Sequence, residues 1–221
     1  MPRGHLTITA PVLFGQLHVE PVVLDFLKAY PEITVRLVLS DTIVNILDDH
    51  IDLAVRIGPL ADSAMVARRL GEIRWVACAS PEYLAARGLP QSPEDLAGHE
   101  CIMFEGAQSS TVWSNEVWHF GQRDTAQAAT IRPRLRVNTA SSAISAAIAG
   151  NGIARLLSYQ IEAARAAGEL EIVLADYESA AIPVHLVHGG QAILPLKLRA
   201  FLHFAAPRPQ QSLQGLGHQG P

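Results

Sequence analysis

The first third of the chain alternates between strand-like and helix-like patterns of apolar residues. Residues 6–9 and 33–40 are rich in β-branched and apolar side chains, which predicts two strands. Over residues 14–30, apolar side chains recur at helical spacing. A short helix over 42–50 and a third strand over 51–56 follow. This order is typical of a parallel sheet with crossover helices, so we expect an α/β fold.

The rest of the chain continues this alternation of strands and helices. A final segment rich in Gln, Gly and Pro, residues 207–221, predicts a disordered tail. Helices are predicted over 81–87, 140–149, 158–168 and 194–205. Strands are predicted over 65–70, 73–79, 102–104, 117–120, 128–137, 153–157, 170–174 and 183–188.

Composition places the chain among ordinary globular proteins. The chain has 221 residues, a length that is sufficient to bury a core. Apolar residues make up 49% of it and charged residues 17%. No apolar run reaches the ~18 residues that span a bilayer, and the first residues form no export signal. We therefore expect a cytoplasmic protein with no membrane contact.

The charge distribution argues against direct nucleic-acid binding. The formal net charge is −4, whereas nucleic-acid modules carry a basic patch or stripe. Arg132, Arg134 and Arg136 would share one face of a strand, and we interpret them as a solvated edge. This chain alone should therefore bind DNA poorly.

Two helix starts follow predicted strands and carry polar residues. Helix starts leave backbone N–H groups unpaired and have partial positive charge, so both predict a place for a carboxylate or other anion. The alternative is plain capping, in which a residue such as Thr139 stabilises its own helix by ~1 kcal/mol. For the first helix, Thr9 or Ala10 would lie near the cap. The residues at the two starts are Thr9, Ala10 and Pro11, and Asn138, Thr139 and Ala140.

Further candidate ligand contacts lie at strand ends. They are Ser40, Asp41, Thr42, Arg56, Ile57 and Phe104. Residues 40–42 would bond a ligand or form an Asx-type turn. Arg56 would form a bidentate pair with a ligand carboxylate, or a structural pair with Asp52 or another acid. The two apolar residues would form walls of the site or pack in the core.

The sequence contains no recognisable metal, cofactor or catalytic motif. Cys78 and Cys101 lack metal or redox spacing, and His185 and His188 would face opposite sides of a strand. Neither a G-x-S-x-G elbow nor a glycine-rich phosphate loop follows a strand. We therefore expect no metal site, no cofactor and no enzymatic activity.

Seven motifs follow one another in a distinctive order and spacing. They are G-H-L-T-I-T-A-P-V-L-F-G (4–15), F-L-K-A-Y-P-E-I-T-V-R-L (26–37), D-L-A-V-R-I-G (52–58), A-S-P-E-Y-L-A-A-R-G-L-P (79–90), P-E-D-L-A-G-H-E-C-I (93–102), A-G-N-G-I-A (149–154) and L-P-L-K-L-R-A-F-L-H-F-A-A-P-R (194–208). No single motif is decisive. Together, by their order and spacing, they resemble the effector-binding domain of LysR-type transcriptional regulators over residues from 4 to about 209.

The resemblance implies an α/β, two-lobed, type 2 periplasmic-binding-protein-like fold. Two Rossmann-like subdomains would be joined by two crossover strands, with a small-molecule cleft between them. The first subdomain would comprise residues 4–78 and 185–206, and the second residues 80–182. The crossings would lie near 76–80 and 182–188.

The resemblance also implies partners. The effector would be a small metabolite, and the helix starts favour a carboxylate or other anion. The domains would form a homodimer, or a tetramer in the full-length protein. DNA would be bound only through a winged helix-turn-helix domain preceding Gly4, so we expect the chain to be an isolated regulatory domain.

Two other functions remain open on the same scaffold. A solute-binding protein of a transporter would need an export signal or a lipid-anchor cysteine, and the first residues have neither. An enzyme would need a titratable cluster at the site, whereas the candidate residues are mostly Thr, Pro, Ser, Asn and Ala.

Overall fold

The computed structural model describes residues 1–42, 50–60, 65–105, 116–121, 126–190 and 194–205. The predicted tail over 207–221 and almost all of the predicted helix over 42–50 lie outside these residues. The chain divides into two compact units, Met1–Ile73 with Ile182–Pro221, and Arg74–Ala181. Among the described residues, no helix has the length and apolar character needed to cross a membrane.

The first unit is built on a five-stranded mixed sheet. The first three strands of the chain run parallel, as the alternation of strands and helices predicts, while the last strand runs antiparallel to both of its neighbours. In spatial order the strands are β2 (Ile33–Leu39), β1 (Gly4–Ala10), β3 (Leu53–Ile57), β12 (Ile182–Gly189) and β4 (Met65–Ile73).

The predicted first helix consists of three segments. These are α1 (Val12–Phe14), a π-helical turn (Gly15–Val19) and α2 (Glu20–Ala29). Its N-cap is Pro11, so Ala10 directly precedes the cap, in agreement with the expectation that Thr9 or Ala10 lies near it. At the first residue of the π-helical turn the chain passes close to β2, where a Cβ at Gly15 would clash with Leu39 Cδ2, so glycine fits this position best.

Aromatic packing joins α2 to the final helix, α6 (Leu196–Ala205). Phe26 meets Phe201 edge-on with 5.0 Å between ring centroids, and both side chains are fully buried. Such pairs add to the free energy gained from burying their apolar surface. Ile8 of β1 lies against Val22 of α2 and Phe201 of α6, so the two helices cover the same face of the sheet.

The second unit contains a second five-stranded sheet and a small hairpin. The strand predicted over 73–79 begins only at Trp75, and the strand predicted over 128–137 is two strands. In spatial order the sheet is β11 (Glu171–Val173), β5 (Trp75–Ala79), β10 (Ile153–Leu157), β6 (Cys101–Phe104) and β9 (Pro133–Val137). The hairpin pairs β7 (Val117–Phe120) with β8 (Gln127–Thr130).

Within the described residues, the second unit also contains three α-helices and two short 3₁₀ helices. Local capping signals explain two of the helix starts: the Ser80 hydroxyl accepts a hydrogen bond from Tyr83 N at 3.3 Å, and Thr139 plays the same role for the next α-helix. The helices are α3 (Pro81–Arg87), a 3₁₀ helix (Pro93–Gly98), α4 (Ala140–Ile148), α5 (Ser158–Ala166) and a 3₁₀ helix (Ala175–Tyr177).

Candidate functional site

The predicted site residues of the first unit lie at one edge of its sheet. The parallel strands β1, β2 and β3 present their carboxyl ends there, with Ala10 paired to Leu39 and Thr9 paired to Ala54. Ser40 N donates to the carbonyl of Ala10 at 3.0 Å, which fixes the turn after β2 beside the start of α1. The edge carries Thr9, Ala10, Pro11, Ser40, Asp41, Thr42, Arg56 and Ile57.

The start of α1 is already occupied by a carboxylate of the chain. Asp41 Oδ1 accepts a hydrogen bond from Val12 N at 3.0 Å, and Pro11 has no N–H to offer a ligand. The positive end of this helix is therefore partly neutralised from within the unit. A second anion at this helix start would meet the negative charge of Asp41.

The hydroxyl groups at this edge have different exposures and partners. Thr9 is only 1% exposed, and its Oγ1 donates to the carbonyl of Val38 at 2.9 Å. Ser40 and Thr42 form a Ser-type turn, with Thr42 N donating to Ser40 Oγ at 3.1 Å and 2.6 Å between their hydroxyl oxygens. Only the latter two hydroxyls therefore lie where a ligand from solvent could reach them.

Arg56 lies beside His185 in the sheet and away from Asp52. The Arg56 position pairs with His185 of β12 across the antiparallel ladder, and burial lowers the pKa of Arg56. Asp52 instead pairs with Lys197 of α6 at 2.9 Å and accepts a hydrogen bond from Thr7 N at 2.8 Å. Asp52 is therefore held by Lys197 and by the backbone of Thr7, both in the first unit.

The predicted residues of the second unit also gather at one sheet edge. Phe104, the last residue of β6, pairs with Val137, the last residue of β9. Asn138 follows as an exposed residue, and Thr139 caps α4 by accepting from Ser142 N at 3.3 Å. The first N–H groups of α4 have no acceptor inside the helix. Ser142 N is taken by the cap, which leaves the N–H groups of Ala140 and Ser141, and Ala140 itself is buried.

Sequence reasoning missed Arg155, in the middle of β10. Its guanidinium carbon lies 5.3 Å from the ring centroids of both Trp75 and Phe120. The Nη2 group donates to the carbonyl of His119 at 2.5 Å and to Ser179 Oγ at 3.2 Å. A single charged residue inside the apolar run over 153–157 is the sequence signal that would have drawn attention to it.

The described residues hold no group of three or more His, Cys, Asp and Glu side chains with metal-binding geometry. Both cysteines are free and buried. Burial raises the pKa of Cys78 and of Cys101 to about 12, so each remains a protonated thiol near neutral pH. The two side chains therefore act as small apolar core residues.

A known protein family accounts for this arrangement. The LysR substrate binding domain profile matches residues 1–209. The chain belongs to the LysR substrate-binding domain family. The family match covers both units and both sheet edges that carry the predicted residues.

Similar proteins agree with this family. The transcriptional regulator CrgA of Neisseria meningitidis is 31% identical over 216 residues, which are 97% of this chain and 70% of CrgA. A transcriptional repressor of Pseudomonas aeruginosa is 32% identical over 203 residues, which are 92% of this chain and 63% of the repressor. The LysR-family chain thus spans about two thirds of the length of these relatives.

Solved structures confirm the fold class. The regulatory domain of CrgA from Neisseria meningitidis superposes with a TM-score of 0.78 at 30% identity, covering 98% of this chain and 100% of that domain. The regulatory domain of AphB from Vibrio vulnificus gives 0.75 at 24% identity, covering 92% and 98%, and supports the fold alone. The LysR-family domain is α/β with the type 2 periplasmic-binding-protein-like fold. A transporter solute-binding protein has no support among these relatives.

Proposed function

We propose that this LysR-family domain senses a small anionic metabolite, such as a carboxylate, and passes the binding signal to a helix-turn-helix DNA-binding domain. The observation that carries the proposal is the gathering of polar residues at the carboxyl edge of each sheet in a chain of this family. Ligands of open α/β sheets bind at such edges. We further propose that the predicted subdomains, residues 4–78 with 185–206 and residues 80–182, are the two regulatory subdomains.

The negative charge of the effector would be met at two places. The first turn of α4 offers the backbone N–H groups of Ala140 and Ser141 and a partial positive charge, with Asn138 exposed beside it. Arg56 offers a guanidinium at the other edge. Because Asp41 occupies the start of α1, we assign no anion contact to that helix.

The remaining predicted residues would position the effector. The exposed hydroxyls of Ser40 and Thr42 would hydrogen-bond it, and Ile57 and Phe104, both half-buried, would supply apolar walls. Thr9, Ala10 and Ala140 would shape the edges as buried residues. Effector binding changes the signal passed to the DNA-binding domain only as far as the effector binds one state of the domain more tightly than another.

The wider assignments follow from the relatives. They are HTH-type transcriptional regulators, so we propose a cytoplasmic regulator that acts without catalysis. It would bind DNA through the helix-turn-helix domain, as a homodimer or, at full length, a tetramer.

The test is a thermal-shift screen of small carboxylic acids followed by calorimetric titration of the best binder. Thr139→Ala should lower the affinity for that compound by about tenfold, because the cap orients the N–H groups at the start of α4. The same change should cost about 1 kcal/mol of unfolding free energy.

Ser80→Ala is the matched control, since it removes an equivalent cap on α3 in the same unit. It should lose similar stability and bind normally. Equal affinities in both variants would refute the assignment of α4 to the site.

A further inference from the structure

Arg155 is a cation enclosed by aromatic rings. Its guanidinium carbon lies 5.3 Å from both the Trp75 and the Phe120 ring centroids, within the range of a cation–π contact. Burial lowers the pKa of Arg155 to about 10, so the group remains charged at neutral pH. The two rings therefore shield part of the guanidinium from water.

Arg155 forms no ion pair with any carboxylate of the described residues. No carboxylate among the described residues lies within ion-pair distance of it. Other half-buried arginines of the unit are paired: Arg74 with Glu178 at 3.2 Å, and Arg136 with Glu105 at 3.2 Å. Folded proteins rarely bury an arginine without an acidic partner, because desolvating the charge is costly.

The hydrogen bonds of Arg155 use only one nitrogen. Nη2 donates to the carbonyl of His119 and to Ser179 Oγ, both of which are neutral acceptors. Within the described part of the chain, no hydrogen bond of Nε or Nη1 is found. Neither atom is a buried polar atom without a partner, so both are accessible to solvent. Three N–H donors thus remain for an acceptor that approaches from solvent.

We infer that Arg155 is the core of an oxyanion-binding site in the second unit, with a carboxylate or phosphate group accepting hydrogen bonds from Nε and Nη1. The planar guanidinium matches the geometry of such oxygens. The rings of Trp75 and Phe120 hold its orientation and lower the local dielectric, which strengthens the attraction. This site involves none of the residues assigned to the effector above, so the two proposals stand independently.

A purely structural role makes a different prediction. Arg155 also ties His119 of β7 to Ser179, so it holds the hairpin to the segment after the last 3₁₀ helix. If that were its only role, replacing it would lower stability and leave anion binding unchanged. A binding measurement on the intact chain separates the two roles.

The experiment follows the indole N–H signals of the chain by NMR while sodium phosphate, or in a second arm sodium acetate, is added at constant ionic strength. Trp75→Phe assigns the Trp75 signal, and Trp118, which is buried in the same unit, is the internal reference. We expect a saturable shift of the Trp75 signal with a millimolar Kd and no shift of Trp118. If the Trp75 shift saturates with only one of the two anions, that anion has the oxyanion geometry that fits the site.

Variants decide whether the guanidinium is responsible. Arg155→Lys should weaken binding by about tenfold, because a lysine keeps the charge and loses the planar donor edge. Arg155→Gln should abolish binding, while Arg136→Gln, whose guanidinium is already paired with Glu105 and Glu116, should bind as the parent chain does.

A linear or absent shift of the Trp75 signal in both arms would overturn the inference, as would unchanged binding by Arg155→Lys. Both outcomes can be measured even if the Arg155→Gln variant does not fold.

Discussion

Asp41 Oδ1 and Val12 N form a hydrogen bond of 3.0 Å that joins the segments following two neighbouring parallel strands. Val12 begins α1 after β1, and Asp41 follows β2. The contact places a negative charge at the positive end of the first helix. It thereby determines which part of the candidate site can accept an anion.

Replacing Asp41 should therefore affect stability and binding in opposite directions. Asp41→Ala should cost about 1 kcal/mol of unfolding free energy, because a charge-assisted cap is lost. The same change should tighten the binding of an anionic effector, because a repelling charge is removed. Urea denaturation and calorimetric titration measure the two effects.

Asp25→Ala provides the comparison for that variant. Asp25 is an exposed carboxylate on α2 paired with Lys28, and its removal should change stability by less than about 0.5 kcal/mol. A similar loss in both variants would show that the Asp41 contact does not stabilise α1.

The close approach of Gly15 to Leu39 predicts an overpacking effect. Gly15→Ala should destabilise the protein by about 1 kcal/mol, since the steric cost exceeds the gain from replacing a helical glycine. In a Leu39→Ala background the same substitution should be neutral or stabilising, because the clashing Cδ2 is gone. Four unfolding curves complete this double-mutant cycle.

Gly98→Ala is the control for the glycine substitution. A Cβ at Gly98 meets no atom within 4 Å, so this variant should stay within about 0.5 kcal/mol of the parent. An identical cost of Gly15→Ala with and without the Leu39 side chain would contradict the packing explanation.

His18 predicts a loss of stability at mildly acidic pH. It lines an apolar pocket with Phe14, Val22 and Leu53, and burial lowers its pKa from 6.5. Below about pH 6.5, His18 is therefore protonated more readily in the unfolded chain than in the folded one, so the free energy of unfolding falls as the pH decreases. His18→Gln should lose less stability between pH 7 and about pH 5, as measured by urea denaturation.

His203→Gln tests whether the pH effect belongs to His18. His203 is exposed on α6, and its replacement should leave the pH profile of stability unchanged. The hypothesis fails if the two variants flatten the profile equally.

Local patterns predicted most elements of the fold, whereas contacts distant in the sequence decided the rest. The Thr139 cap could be foreseen because its acceptor and donor lie three residues apart. The close approach of Gly15, in the π-helical turn, to Leu39 could not, because Leu39 belongs to β2 and is distant in the sequence. The local pattern alone indicates one helix over residues 14–30.

In the candidate site, too, local patterns predicted some features, and contacts between distant residues decided others. Strand ends correctly indicated which residues share an edge within each unit, because parallel strands bring their carboxyl ends together. The partner of Asp52 is Lys197, 145 residues away, and no local pattern identifies such a pair. Arg155 was missed because one polar residue hardly alters the apolar character of a strand.

The pairing of Ile73 with Ile182 in the β4–β12 ladder has a practical consequence for protein engineering. These residues flank the whole of the segment 74–181, which is the second unit. Their Cα atoms are neighbours across an antiparallel ladder, at a spacing that a two-residue type I′ turn such as Asn-Gly can bridge. Deleting the segment and inserting that turn would yield a minimal single-sheet protein, in which the chemistry of the first edge can be studied alone.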